Sequence, residues 1–174
     1  VYTTGKEMTQ IMDTFTKMSG NNYSPGTITG KPIPVGGSLA RNVATGLGNA
    51  YCIREAAKIL NIELKGAKVV LQGFGNASTF SGVYLEKEGA ICIAASDSKG
   101  SILVPDGFKV QELIDWKQKN GSVVGYPGSK EISTEELLTA DCDILVPGAL
   151  ENQITAEIAE KLKCKIIGEA ANGP

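Results

Sequence analysis

Apolar residues recur along the chain in two rhythms. Glu7 to Met18 places Met8, Ile11, Met12, Phe15 and Met18 at helical spacing, which predicts an amphipathic helix. The Gly/Pro/Ser-rich stretch from Ser19 to Ser38 then breaks regular structure. A second helix is expected from about Leu39 to Asn61, with Val43, Leu47, Tyr51 and Ile59-Leu60 on one side. Gly46 and Gly48 inside it each cost up to about 1 kcal/mol relative to alanine. They mark a close approach, either by another backbone or by a ligand. Beyond residue 64 the rhythm changes to short apolar runs near 67–72, 91–96, 143–147 and 165–168, which read as buried strands. Helical patterns separate them. The first spans about Asn76 to Glu88, with Phe80, Val83 and Tyr84 toward a sheet. Another is introduced by Pro105-Asp106-Gly107 and carries Val110, Leu113, Ile114 and the aliphatic stem of Lys117. Ser133 and Glu136 fit a capping box for a short helix at 134–139, and Thr155 caps one running to about Lys161. Buried strands alternating with helices predict an α/β fold with a mostly parallel sheet and flanking helices.

The join between the first strand and its helix is the most informative segment. Gly73-Phe74-Gly75-Asn76-Ala77-Ser78 follows the run ending in Gln72 and opens the helical pattern. A strand that turns sharply into a helix under a pyrophosphate needs small residues at fixed offsets. Gly73 permits the tight turn, Gly75 lets backbone approach phosphate, and a third small residue lets helix and strand pack. The free N–H groups at the helix start then attract the anion. Asp97 closes the second strand nineteen residues beyond Ser78, where an acid would bind the hydroxyls of a ribose. Ser78 replaces the usual glycine. The other reading is an ordinary Gly-rich strand–helix turn; turn, strand, helix and Asp97 together favour nucleotide binding on a Rossmann-like sheet. The loops at 148–152 and 170–174 would project from the same sheet edge. Asn172, before Gly173-Pro174, reads equally well as a turn residue bonding its own backbone.

A chain of 174 residues, 42% hydrophobic and 21% charged, has the composition of an ordinary globular protein. A net charge of −2 without a basic patch argues against nucleic acid. Apolar runs too short for a bilayer, and no signal-peptide pattern, argue against a membrane partner. The chain has no histidine, which excludes an imidazole proton carrier and a Ser-His-Asp triad. Cys52, Cys92, Cys142 and Cys164 are widely spaced; without histidine no metal site is expected, and buried, reduced thiols of a cytoplasmic protein are the expectation. Only Arg41 and Arg54 are available to grip a carboxylate or phosphate bidentately; otherwise lysines serve as point charges.

The motifs, taken together, resemble the glutamate dehydrogenases within the wider glutamate/leucine/phenylalanine/valine dehydrogenase group. The matching phrases are Val1-Tyr2-Thr3-Thr4-Gly5-Lys6-Glu7-Met8, Thr29-Gly30-Lys31-Pro32, Gly36-Gly37-Ser38-Leu39-Ala40-Arg41 and Ala44-Thr45-Gly46. Gln72-Gly73-Phe74-Gly75-Asn76, Ser96-Asp97-Ser98-Lys99-Gly100, Pro105-Asp106-Gly107, Ala149-Leu150-Glu151-Asn152-Gln153-Ile154 and Ala171-Asn172-Gly173-Pro174 follow in family order. The segments from Ser96 to Gly107 and from Ala149 to Ile154 favour the glutamate branch.

The resemblance implies oxidative deamination of L-glutamate to 2-oxoglutarate and ammonia, with NAD or NADP as hydride acceptor. It implies a cofactor site made of Thr45 at the nicotinamide carboxamide, the Gly73, Phe74, Gly75, Asn76, Ala77 and Ser78 turn, Asp97 and Ser98 at the adenosine ribose, and Ala149 and Asn172 along the cleft. Arg41 resembles an arginine near the substrate carboxylate. The family's catalytic lysine and proton-transferring aspartate belong upstream of Val1, so no catalytic residue is expected here. The chain is expected to be a truncated cofactor-domain fragment that binds without turning over. Residues 1–64 would form a helical lead-in and 65–174 the dinucleotide-binding domain. A homo-oligomer, hexameric by resemblance, is implied. Ser78 and Leu47, where the family favours glycine and arginine, depart from the pattern. A cofactor preference for NAD is expected from Asp97, with Ser98-Lys99 as a possible phosphate grip. The alternatives are a leucine/valine/phenylalanine-type enzyme, a non-catalytic nucleotide-binding module, and a plain structural α/β domain.

Overall fold

The computed structural model describes residues 3–172 and divides the chain into two compact units, one up to Ala44 and one from Thr45 onward. In the first unit, helix α1 spans Gly5–Met18. It starts where the sequence permits: the Thr4 hydroxyl and the Glu7 carboxylate cap each other's backbone in a capping box. Met12 is buried, whereas Ile11, Phe15 and Met18 of the same apolar stripe stand exposed. Two single 3-10 turns follow, Pro25–Thr27 and Ile33–Val35. Helix α2, Arg41–Ile59, crosses the boundary between the units.

The second unit is built on a six-stranded sheet: β1 Lys68–Gln72, β2 Ile91–Asp97, β3 Gly100–Phe108, β4 Lys130–Ile132, β5 Ile144–Pro147 and β6 Ile166–Ile167. Their spatial order is β4-β3-β2-β1-β5-β6. The four strands expected from the sequence pair in parallel, β2 with β1, β1 with β5 and β5 with β6. Helices α3, Asn76–Lys87, α4, Val110–Asn120, α5, Thr134–Leu138, and α6, Ala156–Ala159, complete the unit. Both expected caps are present, a Ser133–Glu136 box on α5 and Thr155 on α6.

Alternation along the strands divides the core between the two sheet faces. Val69, Leu71, Ile144 and Val146 pack with Ala50, Ile53 and Ala57 of α2, Leu85 of α3, and Val110 and Leu113 of α4. Val70, Ala94 and Leu145 pack on the other face with Leu137 and Leu138 of α5.

Three sequence expectations are corrected. The helix expected after Pro105-Asp106-Gly107 is present from Val110, but the segment itself lies within β3, a strand that was not expected and that runs antiparallel to both β2 and β4. Pairing skips from Ala94↔Leu103 to Cys92↔Phe108, so these residues form a bulge where proline needs no ladder partner. Second, α2 turns Gly46, Ala50, Ile53 and Ala57 inward, leaving Tyr51 and Ile59 exposed; small residues bring the helix closer than the larger side chains would allow. In α3 Val83 and Tyr84 do pack against the core, but the fully buried residues are Ser78, Thr79, Ser81, Gly82 and Leu85, and Phe80 is only partly covered. Third, Cys52 is exposed and Cys164 half-buried. Cys92 and Cys142 are buried, and burial pushes both thiols up to about 12.

Candidate functional site

The carboxyl ends of β1, β2, β5 and β6 lie along one edge of the sheet, and the candidate residues collect there. β1 ends at Gln72, and Gly73 turns the chain with φ +83°. Its N–H donates to the Ser96 hydroxyl at 2.9 Å, tying the turn to β2. A Cβ on Gly73 would stand 2.9 Å from the backbone of Gly148 and Ala149, so the loop after β5 is pressed against the turn. Ser78 is fully buried and donates its hydroxyl to the Gln72 carbonyl at 3.2 Å. The residue that departs from the glycine pattern is therefore accommodated, and Gly148 is what makes room for it.

Gly75 is different. It is the N-cap of α3, exposed, with no side-chain cap bond, and a Cβ built on it meets nothing within 4 Å. The first N–H groups of a helix have no partner within the helix; here they open beside a cleft of about 400 Å³. Phe74, Asn76, Thr79, Ile114 and Lys117 are among its walls. An anion is the natural occupant of such a helix start.

Lys117 is the residue that periodicity placed only by its stem. Its ammonium donates to the Phe74 carbonyl at 2.9 Å and lies 3.5 Å from Asp97 Oδ2. A lysine on an otherwise apolar helix stripe was the available signal. Asp97 ends β2 as expected, with its side chain 5% exposed. Burial pushes its carboxyl up, but bonds from the Lys99 and Val123 N–H groups and the Ser122 hydroxyl, with the charge of Lys117, hold it below the usual range. Those bonds measure 2.9, 2.8 and 3.1 Å. Both carboxylate oxygens are thus engaged within the protein, an arrangement not legible from spacing. Ser98 and Lys99 form the exposed two-residue turn into β3.

α2 reaches the same edge. A Cβ on Gly46 would lie 2.6 Å from the Ala77 carbonyl, so the close approach inferred from this glycine is made by the α3 backbone. Gly48 has nothing within 4 Å. Thr45, exposed, precedes this contact. One turn on, the Asn49 amide donates to the Gly168 carbonyl at 2.8 Å, joining α2 to the loop that carries Asn172. Asn172 and Ala149 are both exposed. Thr45, Gly73 to Ser78, Asp97, Ser98, Ala149 and Asn172 thus all belong to the second unit, on loops, strand ends or helix ends at or beside one sheet edge. Arg41 belongs to the first unit. Gly173 and Pro174, the close of the last family phrase, lie outside the described residues.

Known proteins resemble this chain in sequence and fold. The family described as Glutamate/Leucine/Phenylalanine/Valine dehydrogenase matches residues 36–174. The NAD-specific glutamate dehydrogenase of Clostridioides difficile is 42% identical over all of the chain, which spans 42% of that protein. The glutamate dehydrogenase of Thermotoga maritima is 45% identical, again over all of the chain and 42% of its own length. Among solved structures, the hetero-hexameric glutamate dehydrogenase of Thermus thermophilus, in a Leu-bound form, superposes with a TM-score of 0.89 at 28% identity. That match covers 99% of this chain and 41% of the other. The chain spans less than half the length of the relatives it matches.

Proposed function

The chain belongs to the glutamate/leucine/phenylalanine/valine dehydrogenase family, and from that premise we propose that it forms the NAD-binding part of a glutamate dehydrogenase. The observation that carries the reading is the contrast within one turn: Gly73 is demanded by packing, whereas Gly75 has open space that a side chain would fill. Nothing among the described residues requires glycine there, but a dinucleotide lying against the backbone does.

In this reading the first N–H groups of α3, at Asn76, Ala77 and Ser78, receive the pyrophosphate, with the Gly73-Phe74-Gly75 backbone beneath it. Thr45 and Asn172 serve the nicotinamide end, with Ala149 along the cleft, and Ser98 serves the adenosine ribose beside Asp97, which acts there through its charge because its oxygens are bonded within the protein. Held by these residues, NAD would supply the acceptor for the hydride that leaves the amino carbon of glutamate. Arg41 holds a substrate carboxylate. Arginine stays protonated in proteins, and Asp97 is committed to internal bonds, so neither is suited to accept the proton that deamination releases. The 174-residue chain by itself is expected to bind cofactor and not to turn over glutamate. Glutamate, 2-oxoglutarate and ammonia as reactants, and a cytoplasmic homo-oligomer, hexameric by likeness to its relatives, complete the proposal. Among the described residues no helix is long and apolar enough to cross a membrane.

Asp97 and its bonded Lys117 also bear on cofactor choice. A carboxylate there repels a 2′-phosphate, and the nearby ammonium is already neutralised by it, so NAD is preferred. Fluorescence titration of NADH and NADPH tests this. NADH is expected to bind about tenfold tighter, a difference of about 1.4 kcal/mol. Tighter NADPH binding would assign the ribose end to Ser98 and Lys99 instead, and no binding of either would reject the nucleotide site.

A further inference from the structure

Asn49 puts a polar amide on the stripe of α2 that otherwise carries the buried Gly46, Ile53 and Ala57. Its amide donates to the Gly168 carbonyl at 2.8 Å, across 119 residues of sequence. Its Oδ1 is buried and has no partner among the described residues. An unbonded buried acceptor is a cost to folding that an apolar side chain would avoid. Packing alone therefore does not select an amide at this place; the bond to Gly168 does.

Gly168 is fitted to that amide. A Cβ on it would stand 2.6 Å from Asn49 Oδ1 and closer still to Ile53 Cδ1, so α2 leaves room for glycine only. Both backbone groups of Gly168 are engaged. Its N–H donates to the Leu145 carbonyl of β5 at 2.8 Å, while its carbonyl accepts from α2. Further on, the Ala170 N–H donates to the Pro147 carbonyl at 2.7 Å, and the Ala171 N–H to the Glu169 carboxylate at 2.9 Å. The chain is thus held at three places before it emerges at the exposed Asn172. On the helix side, Thr45 lies one turn before Asn49. Its neighbour Gly46 accepts the Ser81 hydroxyl at 3.2 Å, which fixes that turn of α2 against α3. Among the described residues, Asn49 is the one side chain that hydrogen-bonds α2 to the loop after β6.

We propose that Asn49 is a positioning residue for the nicotinamide end of the cofactor site, acting through Gly168 to hold the Asn172 loop in register with Thr45. The proposal rests on the reading of Thr45 and Asn172 as nicotinamide contacts. The pyrophosphate end depends on other contacts, those of the Gly73–Ser78 turn with Ser96 and Gly148, so the clamp governs one end of the dinucleotide. Without it the loop samples other positions, and apparent affinity falls with the fraction of molecules in which both contacts stand ready.

Calorimetric titration of the 174-residue chain with NADH, and with ADP-ribose, which lacks the nicotinamide, tests the assignment in Asn49→Leu and Asn49→Ala. NADH affinity should fall about fivefold in each, the worth of one hydrogen bond, with ADP-ribose affinity unchanged. Asn49→Leu keeps the side-chain branching without the unbonded oxygen; Asn49→Ala carries the test if leucine does not fit beside Gly168. A merely structural role would lower thermal stability and both affinities together, and that outcome, like unchanged NADH affinity, would overturn the assignment. An unaltered chain that binds ADP-ribose as tightly as NADH leaves no nicotinamide contact for Asn49 to position; the inference then falls and the nucleotide site stands. Binding of neither ligand to the unaltered chain rejects the two together.

Discussion

Gly73 and Gly75 stand two residues apart in one turn and meet opposite surroundings. Gly73 is pressed against Gly148 and Ala149 and has a left-handed backbone; Gly75 faces open space with an extended φ of −100°. The first answers to packing and the second to whatever lies outside the protein. A glycine pattern read as one motif thus contains two physical demands, which substitution should separate into loss of stability and loss of affinity.

The largest effect is expected at the packed end. Gly73→Ala puts a side chain into a left-handed conformation and a Cβ against backbone, and should cost about 3 kcal/mol in urea unfolding. Gly148→Ala comes next, at about 2 kcal/mol, because its Cβ would collide with the Ser78 hydroxyl. Ser78→Ala alone should cost about 1 kcal/mol through its lost bond to Gln72. Combined with Gly148→Ala it should recover about 1 kcal/mol, since the colliding oxygen is gone. Strictly additive costs would show that Gly148 does not serve to admit that hydroxyl.

Asp97 gives an effect between those of Gly148 and Ser78, with a distinct pH signature. Its carboxyl is held below its ordinary value in the folded protein. The stability it contributes is therefore present above the unfolded value of about 4 and lost as pH falls through the folded one. Asp97→Asn should cost about 1.5 kcal/mol at neutral pH and flatten the loss of stability below about pH 4. An unchanged acid limb would mean that the bonds from Val123 and Ser122 contribute little. The smallest effect on stability belongs to Gly75→Val, within about 1 kcal/mol, the cost of a poorer N-cap residue.

The same division explains what the sequence made legible. β1, β2, β5 and β6 read clearly because buried parallel strands are continuous apolar runs, and the turn read clearly because glycine spacing is local. β3 was hidden because Pro105 and Gly107 look like breakers, and only its long-range pairing with β2 shows that they sit in a bulge. The inward faces of α2 and α3 were only partly legible because Gly46, Ser78 and Gly82 carry no hydrophobic signal, although their smallness brings the helices into contact. At the site, the position of Asp97 was legible but its partners were not. Lys117, Ser122 and Val123 lie twenty or more residues away, beyond the reach of spacing.

The central claim is that the open end of the turn receives the nucleotide. NADH titration of the unaltered chain against Gly75→Val tests it most directly, with thermal unfolding of both to confirm that the fold is intact. The account predicts saturable NADH binding to the former and affinity at least about tenfold weaker for the latter. Equal affinity in two equally stable proteins would contradict it, leaving Gly75 as nothing more than a helix cap.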